Sequence, residues 1–76
     1  MGGPGKLVDK MRRAGYMTVH EAARRAGVHA TTIYRLIDSG TVGGLRIGRF
    51  RFVHAAQLGA YYPEPVRSMI LSEAAA

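Results

Sequence analysis

The sequence predicts a mainly α-helical fold with one small β-hairpin, and three observations carry that expectation. Apolar residues recur at helical spacing from Val19 to Ile37. The period then changes from 3.6 to 2 across Val42, Leu45, Ile47, Phe50, Phe52 and Val53. Gly27, Gly40 and Gly48 fall where one element has to stop or turn before the next begins. The chain has 76 residues, enough for one domain with one small core.

Residues 1–5 are dominated by Gly and Pro and are expected to be disordered. Residues 6–14 form a short helix with Leu7, Met11 and Ala14 on one face, ended by Gly15. Arg12 and Arg13 lie near its C-terminus, where the helix dipole favours cations. Tyr16 and Met17 lead into the next element, Tyr16 as a core or staple residue. Thr18 with Glu21 spells a capping box: the Thr18 hydroxyl accepts from the Glu21 N–H, and the Glu21 carboxylate reaches back to the Thr18 N–H. Val19, Ala22, Ala23 and Ala26 make the inner face of that helix, and Gly27 stands where a left-handed residue ends it. Val28 plugs the turn. Ile33, Leu36 and Ile37 give a second helix its inner face, and Gly40 stops it. Two helices this short do not form separately in water, and their small-residue faces suit a steep, close crossing, which is a helix-turn-helix.

The hairpin expected after Gly40 has strands over 44–47 and 50–53, with Gly48 at the first central position of a type II′ turn. Leu45, Ile47, Phe50 and Phe52 point to the core. Arg46 and Arg51 face away on the other side, and Arg49 stands at the tip. An isolated ribbon is marginal, so it has to lie on the helices, as a basic wing beside the helix-turn-helix. His54 or Val53 opens a further helix from Ala55 to Tyr61 or Tyr62, with Leu58, Tyr61 and Tyr62 packing it back onto the first helix. The domain therefore runs over 6–62. Residues 63–76 are a Pro-Glu-Pro break and a short helix over 66–75, whose stripe of Val66, Met69, Ile70 and Ala74 either packs on the domain or meets a partner.

Eleven Lys and Arg stand against five Asp and Glu, for a net charge of +6. Nine of the basic residues but only Glu21 and Asp38 of the acidic ones fall between Lys10 and Tyr62, so the compact part is the basic part. A polyanionic partner follows, nucleic acid ahead of a membrane surface. There is no cysteine, and His20, His29 and His54 do not have zinc-ligand spacing, so neither a metal nor a cofactor is expected. The carboxylates are unpaired in sequence, no Gly-Lys-Ser/Thr follows Gly43-Gly44, and the serines have no motif base beside them. No enzyme activity is expected. The apolar runs are too short to span a membrane and the start lacks signal-peptide anatomy, so a cytoplasmic, nucleoid-associated protein is expected.

The stretch MTVHEAARRAGVHATTIYRLIDSGTVGGLRIGRFRFV closely resembles the excisionase-like branch of the MerR winged helix-turn-helix superfamily. The matching residues are Glu21-Ala22-Ala23, Gly27-Val28, Thr32-Ile33-Tyr34-Arg35, Gly40 and Arg46-Ile47-Gly48-Arg49, and the likeness covers Met17 to about Tyr62. Two positions depart from the pattern: His29 stands where Ser or Thr caps the second helix, and Ala30 and Thr31 stand where relatives often carry Arg or Lys. The resemblance implies a protein that binds double-stranded DNA with the second helix in the major groove. Thr31, Thr32 and Arg35 are then the candidate base contacts, with Tyr34 giving its hydroxyl to phosphate. Arg46, Arg49 and Arg51 follow the backbone or reach the adjacent minor groove, and Arg24 and Arg25 clamp phosphate. With about five phosphates neutralised, log K falls against log salt with a slope near −4 to −5.

The task implied is that of a recombination directionality factor of the excisionase kind, or a small transcriptional regulator. Because phage terminase small subunits share the module, a DNA-binding adaptor of a packaging complex is an alternative. A winged helix that binds an acidic protein is another. Self-association, or contact with an integrase or other protein, falls to the C-terminal segment, with the helix over 6–14 as the alternative for cooperative contacts between copies. Removing 66–76 is expected to abolish cooperativity and spare one-site affinity.

Overall fold

The computed structural model describes residues 4–72. In chain order it has α1 (Pro4–Arg13), β1 (Tyr16–Thr18), α2 (Val19–Ala26), α3 (Ala30–Asp38), β2 (Gly44–Ile47), β3 (Phe50–His54), α4 (Ala55–Tyr61) and α5 (Val66–Leu71). The fold is mainly α with a small three-stranded antiparallel sheet, the arrangement of a winged helix-turn-helix.

The first helix starts at Pro4, earlier than the 6–14 span expected. Proline suits a first helical position, where its missing N–H has no partner to lose. Of the five residues expected to be disordered, Pro4 and Gly5 are thus helical, and residues 1–3 lie outside the described residues. Gly15, at φ +93°, turns the chain into β1.

Strand β1 was not foreseen, because three residues are too few to show a period. It exists because β3 offers it an edge. Tyr16 pairs with His54, Met17 with Val53 and Thr18 with Phe52, so β3 becomes the central strand, with β2 on its other side.

At the helix-turn-helix, Thr18 Oγ1 accepts from the Glu21 N–H at 3.1 Å. The other half of the expected capping box is replaced: the Glu21 carboxylate holds Arg25 at 2.7 Å and Arg12 at 3.1 Å. Gly27 is left-handed at φ 73°, and the Val28 N–H closes the turn on the Ala23 carbonyl at 3.0 Å. Val19, Ala22, Ala23 and Ile33 are buried where α2 crosses α3, in one cluster with Met17, Val42, Val53, Leu58 and Ile70.

The hairpin turns at Gly48, φ +61°, as its sequence requires. Its two faces divide as expected, since Leu45 pairs with Phe52, Ile47 with Phe50 and Arg46 with Arg51. Their destinations differ from expectation. The face of Arg51 also carries Val53, fully buried in the main cluster, so this face looks toward α3 rather than away. The opposite face is buried at Phe52 and opens toward the tip, where Phe50 is half-buried and Ile47 is exposed. Alternation along a central strand explains both: β3 is covered on two sides near its C-terminal end and outruns its cover near the turn.

Helix α4 is capped by His54, whose Nδ1 accepts from the Gln57 N–H at 3.3 Å. Leu58 is fully buried and Tyr62 packs on the core, whereas Tyr61, expected to pack, is 51% exposed. Helix α4 lies chiefly on α5. After the Pro63-Glu64-Pro65 break, α5 drives Ile70 fully into the core between α4 and α2. The C-terminal stripe therefore packs, with Met69 and Leu71 exposed on its flanks, and Ala74 lies outside the described residues. Of the two roles expected for the stripe, Ile70 takes the packing one, so removing 66–76 would open the core there.

Candidate nucleic-acid interface

An α3 that buries Ile33 and packs Leu36 and Ile37 inward has to present Thr31 and Arg35 outward, one turn apart. Both are exposed, and Thr32 beside them is half-buried. Tyr34 and Asp38, also one turn apart, lie on the flank toward the hairpin. There the Arg51 guanidinium stands over the Tyr34 ring, 4.8 Å from its centroid, and Arg51 Nη2 is 3.4 Å from Asp38 Oδ1. The Tyr34 ring packs partly on the core, so the aromatic serves the interior and the wing at once. Arg46 lies across the ladder from Arg51, and its Nε donates to the Gly48 carbonyl at 3.1 Å.

Helix α3, the start of α2 and the wing meet in one open depression, lined by Thr18, His20, Tyr34, Arg49, Phe50 and Arg51, with Val8 of α1 on its edge. Sequence reasoning missed His20 and Thr18 as neighbours of the wing. The available signal was that His20 falls in the first turn of α2, but nothing in the sequence states how far the hairpin reaches.

The nine residues expected at the interface separate by what they already hold. Arg25 is withdrawn from it. Its Nη1 donates to the carbonyls of Ile70 at 2.8 Å and Ser72 at 3.1 Å, and its Nη2 pairs with Glu21 at 2.7 Å. It ties the end of α5 to α2, and its side chain is 15% exposed. Arg51 is engaged with Tyr34 and Asp38 of α3, and Arg46 within the wing, as described. Arg24, Arg35 and Arg49 are exposed and have no hydrogen bond or ion pair among the described residues. Thr31, Thr32, Tyr34, Arg35, Arg46, Arg49 and Arg51 lie on α3 and the adjoining hairpin, whereas Arg24 lies late in α2, lining a shallow groove with Met69 of α5.

The remaining chemistry is sparse. Among the described residues no three His, Asp or Glu side chains come together to hold a metal, and no helix is long and apolar enough to cross a membrane. A family model described as a helix-turn-helix domain matches residues 16–62, from the first residue of β1 to the C-cap of α4, with α1 and α5 outside the match. No curated protein and no solved structure matches the chain.

Proposed function

The chain belongs to this family of helix-turn-helix domains, and on that premise we propose that it is a sequence-specific double-stranded DNA-binding protein, with α3 in the major groove and the hairpin on the backbone or in the adjacent minor groove. The observation that carries the reading is the pair of unanswered cations on two elements that touch: Arg35 outermost on α3 and Arg49 at the tip of the wing. Neither has a hydrogen-bond or ion-pair partner among the described residues, and both stand where a polyanion has access. Arg35 is suited to guanine O6 and N7, with Thr31 beside it for a small polar or methyl contact. Arg49 carries phosphate charge without reading sequence.

The task is that of an excisionase-like directionality factor or a small regulator, acting by occupying and shaping DNA rather than by a reaction of its own. The excess of basic residues within the domain supports this. Cooperative contacts between copies fall to the exposed flank of α5 at Met69, because the buried flank is taken by the core.

A salt titration of duplex binding tests the reading, with wild type, Arg35→Ala and Arg49→Ala on genomic and random duplexes. Wild type should prefer some sequences, and Arg35→Ala should flatten that preference by about 1–3 kcal/mol. Arg49→Ala should weaken all sequences and reduce the salt slope by about 0.9. No binding at low salt would remove DNA as the partner and leave an acidic protein for the basic face.

A further inference from the structure

We propose that Arg51 is a positioning residue: it fixes the wing to the recognition helix, and Arg49 contacts phosphate because Arg51 holds it in place. This rests on the DNA-binding reading above and assigns Arg51 a role different from that of a backbone contact.

The geometry points inward. The Arg51 guanidinium lies over the Tyr34 ring at 4.8 Å and beside the Asp38 carboxylate at 3.4 Å, both on α3. A guanidinium on an aromatic face is held in orientation as well as in place. Its side chain is 29% exposed, against 72% for Asp38. Arg51 therefore turns its charge to α3 more than to solvent, and it sets a cation beside the exposed carboxylate that would otherwise repel a phosphate.

Beyond this clamp the hairpin has little to hold it. Arg46 and Arg51 are cross-strand partners, and like charges directly opposite oppose pairing. Arg46 answers by turning to the Gly48 carbonyl, which leaves Arg51 as the charged link to α3, farther toward the tip than the close approach of Gly44 to Ile37. The next pair toward the tip is exposed at Ile47 and half-buried at Phe50. Arg49 is two residues from Arg51, so the tip inherits its place from that anchor.

The test uses the full chain with Arg51→Ala, Arg49→Ala and the double variant, and Asp38→Asn as a milder variant at an exposed position. In the free protein, backbone order parameters of Gly48 and Arg49 should fall in Arg51→Ala from about 0.85 toward 0.6. Asp38→Asn should move them the same way by less. On duplex DNA, each single arginine variant should lower the salt slope by about 0.9, and the double variant should lower it no further. Unchanged order at the tip, or slope losses that add in the double variant, would overturn the proposal and make Arg51 an independent phosphate contact. If wild type binds no duplex, the DNA-binding reading fails, and the order parameters still decide whether Arg51 anchors the wing.

Discussion

Arg24 and Arg25 are neighbours in the chain and line one groove beside α5, yet the fold takes up the charge of one and leaves the other exposed. Arg25 reaches back from α2 to the carbonyls that end α5 and to Glu21, so its charge is answered three times inside the protein. Arg24, one position earlier and rotated by about 100° on the same helix, is exposed and unanswered among the described residues. The same division runs through the whole fold. At the back, Arg12 pairs with Glu21, and Arg67 donates to the carbonyls of Gly59 and Tyr62. At the front, Arg35 and Arg49 have no such partners among the described residues. A net charge of +6 thus overstates the charge free to meet a ligand, and the helical rotation of one residue decides which kind of arginine a position holds.

The largest effect expected from this contrast is on stability. Arg25→Ala removes the bonds to the carbonyls of Ile70 and Ser72 and leaves Glu21 with Arg12. The loss should be about 2 kcal/mol, since hydrogen bonds to charged groups are worth about 1.5–3 kcal/mol each and solvent recovers part of it. That lowers Tm by about 8–16 °C in a domain of this size. Arg24→Ala should leave Tm within about 4 °C, because exposed positions free of special contacts change stability by less than about 0.5 kcal/mol. Thermal unfolding of the two variants side by side decides it, and equal Tm values would erase the distinction between the engaged and the exposed arginine.

The next effect tests the front by improving it. Helix α2 begins at a Thr18 that accepts a backbone N–H, and α4 begins at a His54 that does the same. Helix α3, which carries Thr31 and Arg35, begins at a His29 with extended backbone, φ −74° and ψ 150°, and no side-chain hydrogen bond. The backbone is already that of an N-cap, so His29→Ser should stabilise by about 0.5–1 kcal/mol. A shift of the urea midpoint to higher concentration at unchanged slope would show it. An unmoved midpoint would mean that solvent serves the start of α3 as well as a hydroxyl does.

His29 also shows where the sequence was sufficient. Caps, left-handed glycines and the change of period are local properties, and Thr18, Gly27, Gly48 and the α2–α3 pair were readable from spacing alone. What could not be read depends on partners distant in the chain. Strand β1 requires the edge of β3, and Phe52 and Val53, adjacent in sequence, are buried on opposite faces only because β3 is central. At the interface, residue type and position picked out Arg35 and Arg49. They could not separate Arg24 from Arg25, because the acceptors for Arg25 lie 45 and 47 residues away. The orientation of Arg51 toward α3 was hidden for the same reason: a strand's alternation names two faces without saying which one a helix will cover.

The smallest effect concerns the other end of the helix that Arg25 secures. Pro65 gives α5 no side-chain cap, and Glu64 supplies one from the position before it, accepting from the Ser68 hydroxyl at 2.6 Å and the Ser68 N–H at 3.1 Å. These bonds, the hydroxyl's first, favour the ionised form and hold the Glu64 carboxyl below its ordinary value, with Arg67 adding in the same direction. The pKa is lower in the folded state, so the stability it contributes is fully present above the unfolded value, about 4.3, and is lost as pH falls through the lower folded value. Glu64→Gln keeps an oxygen acceptor and loses the charge. Its Tm should therefore lie slightly below that of wild type at pH 6 and converge on it as the carboxylate protonates. Parallel Tm curves for the two proteins from pH 6 down to pH 3 would show that the cap contributes nothing. Convergence would place a pH-sensitive support of α5 at its N-terminal end.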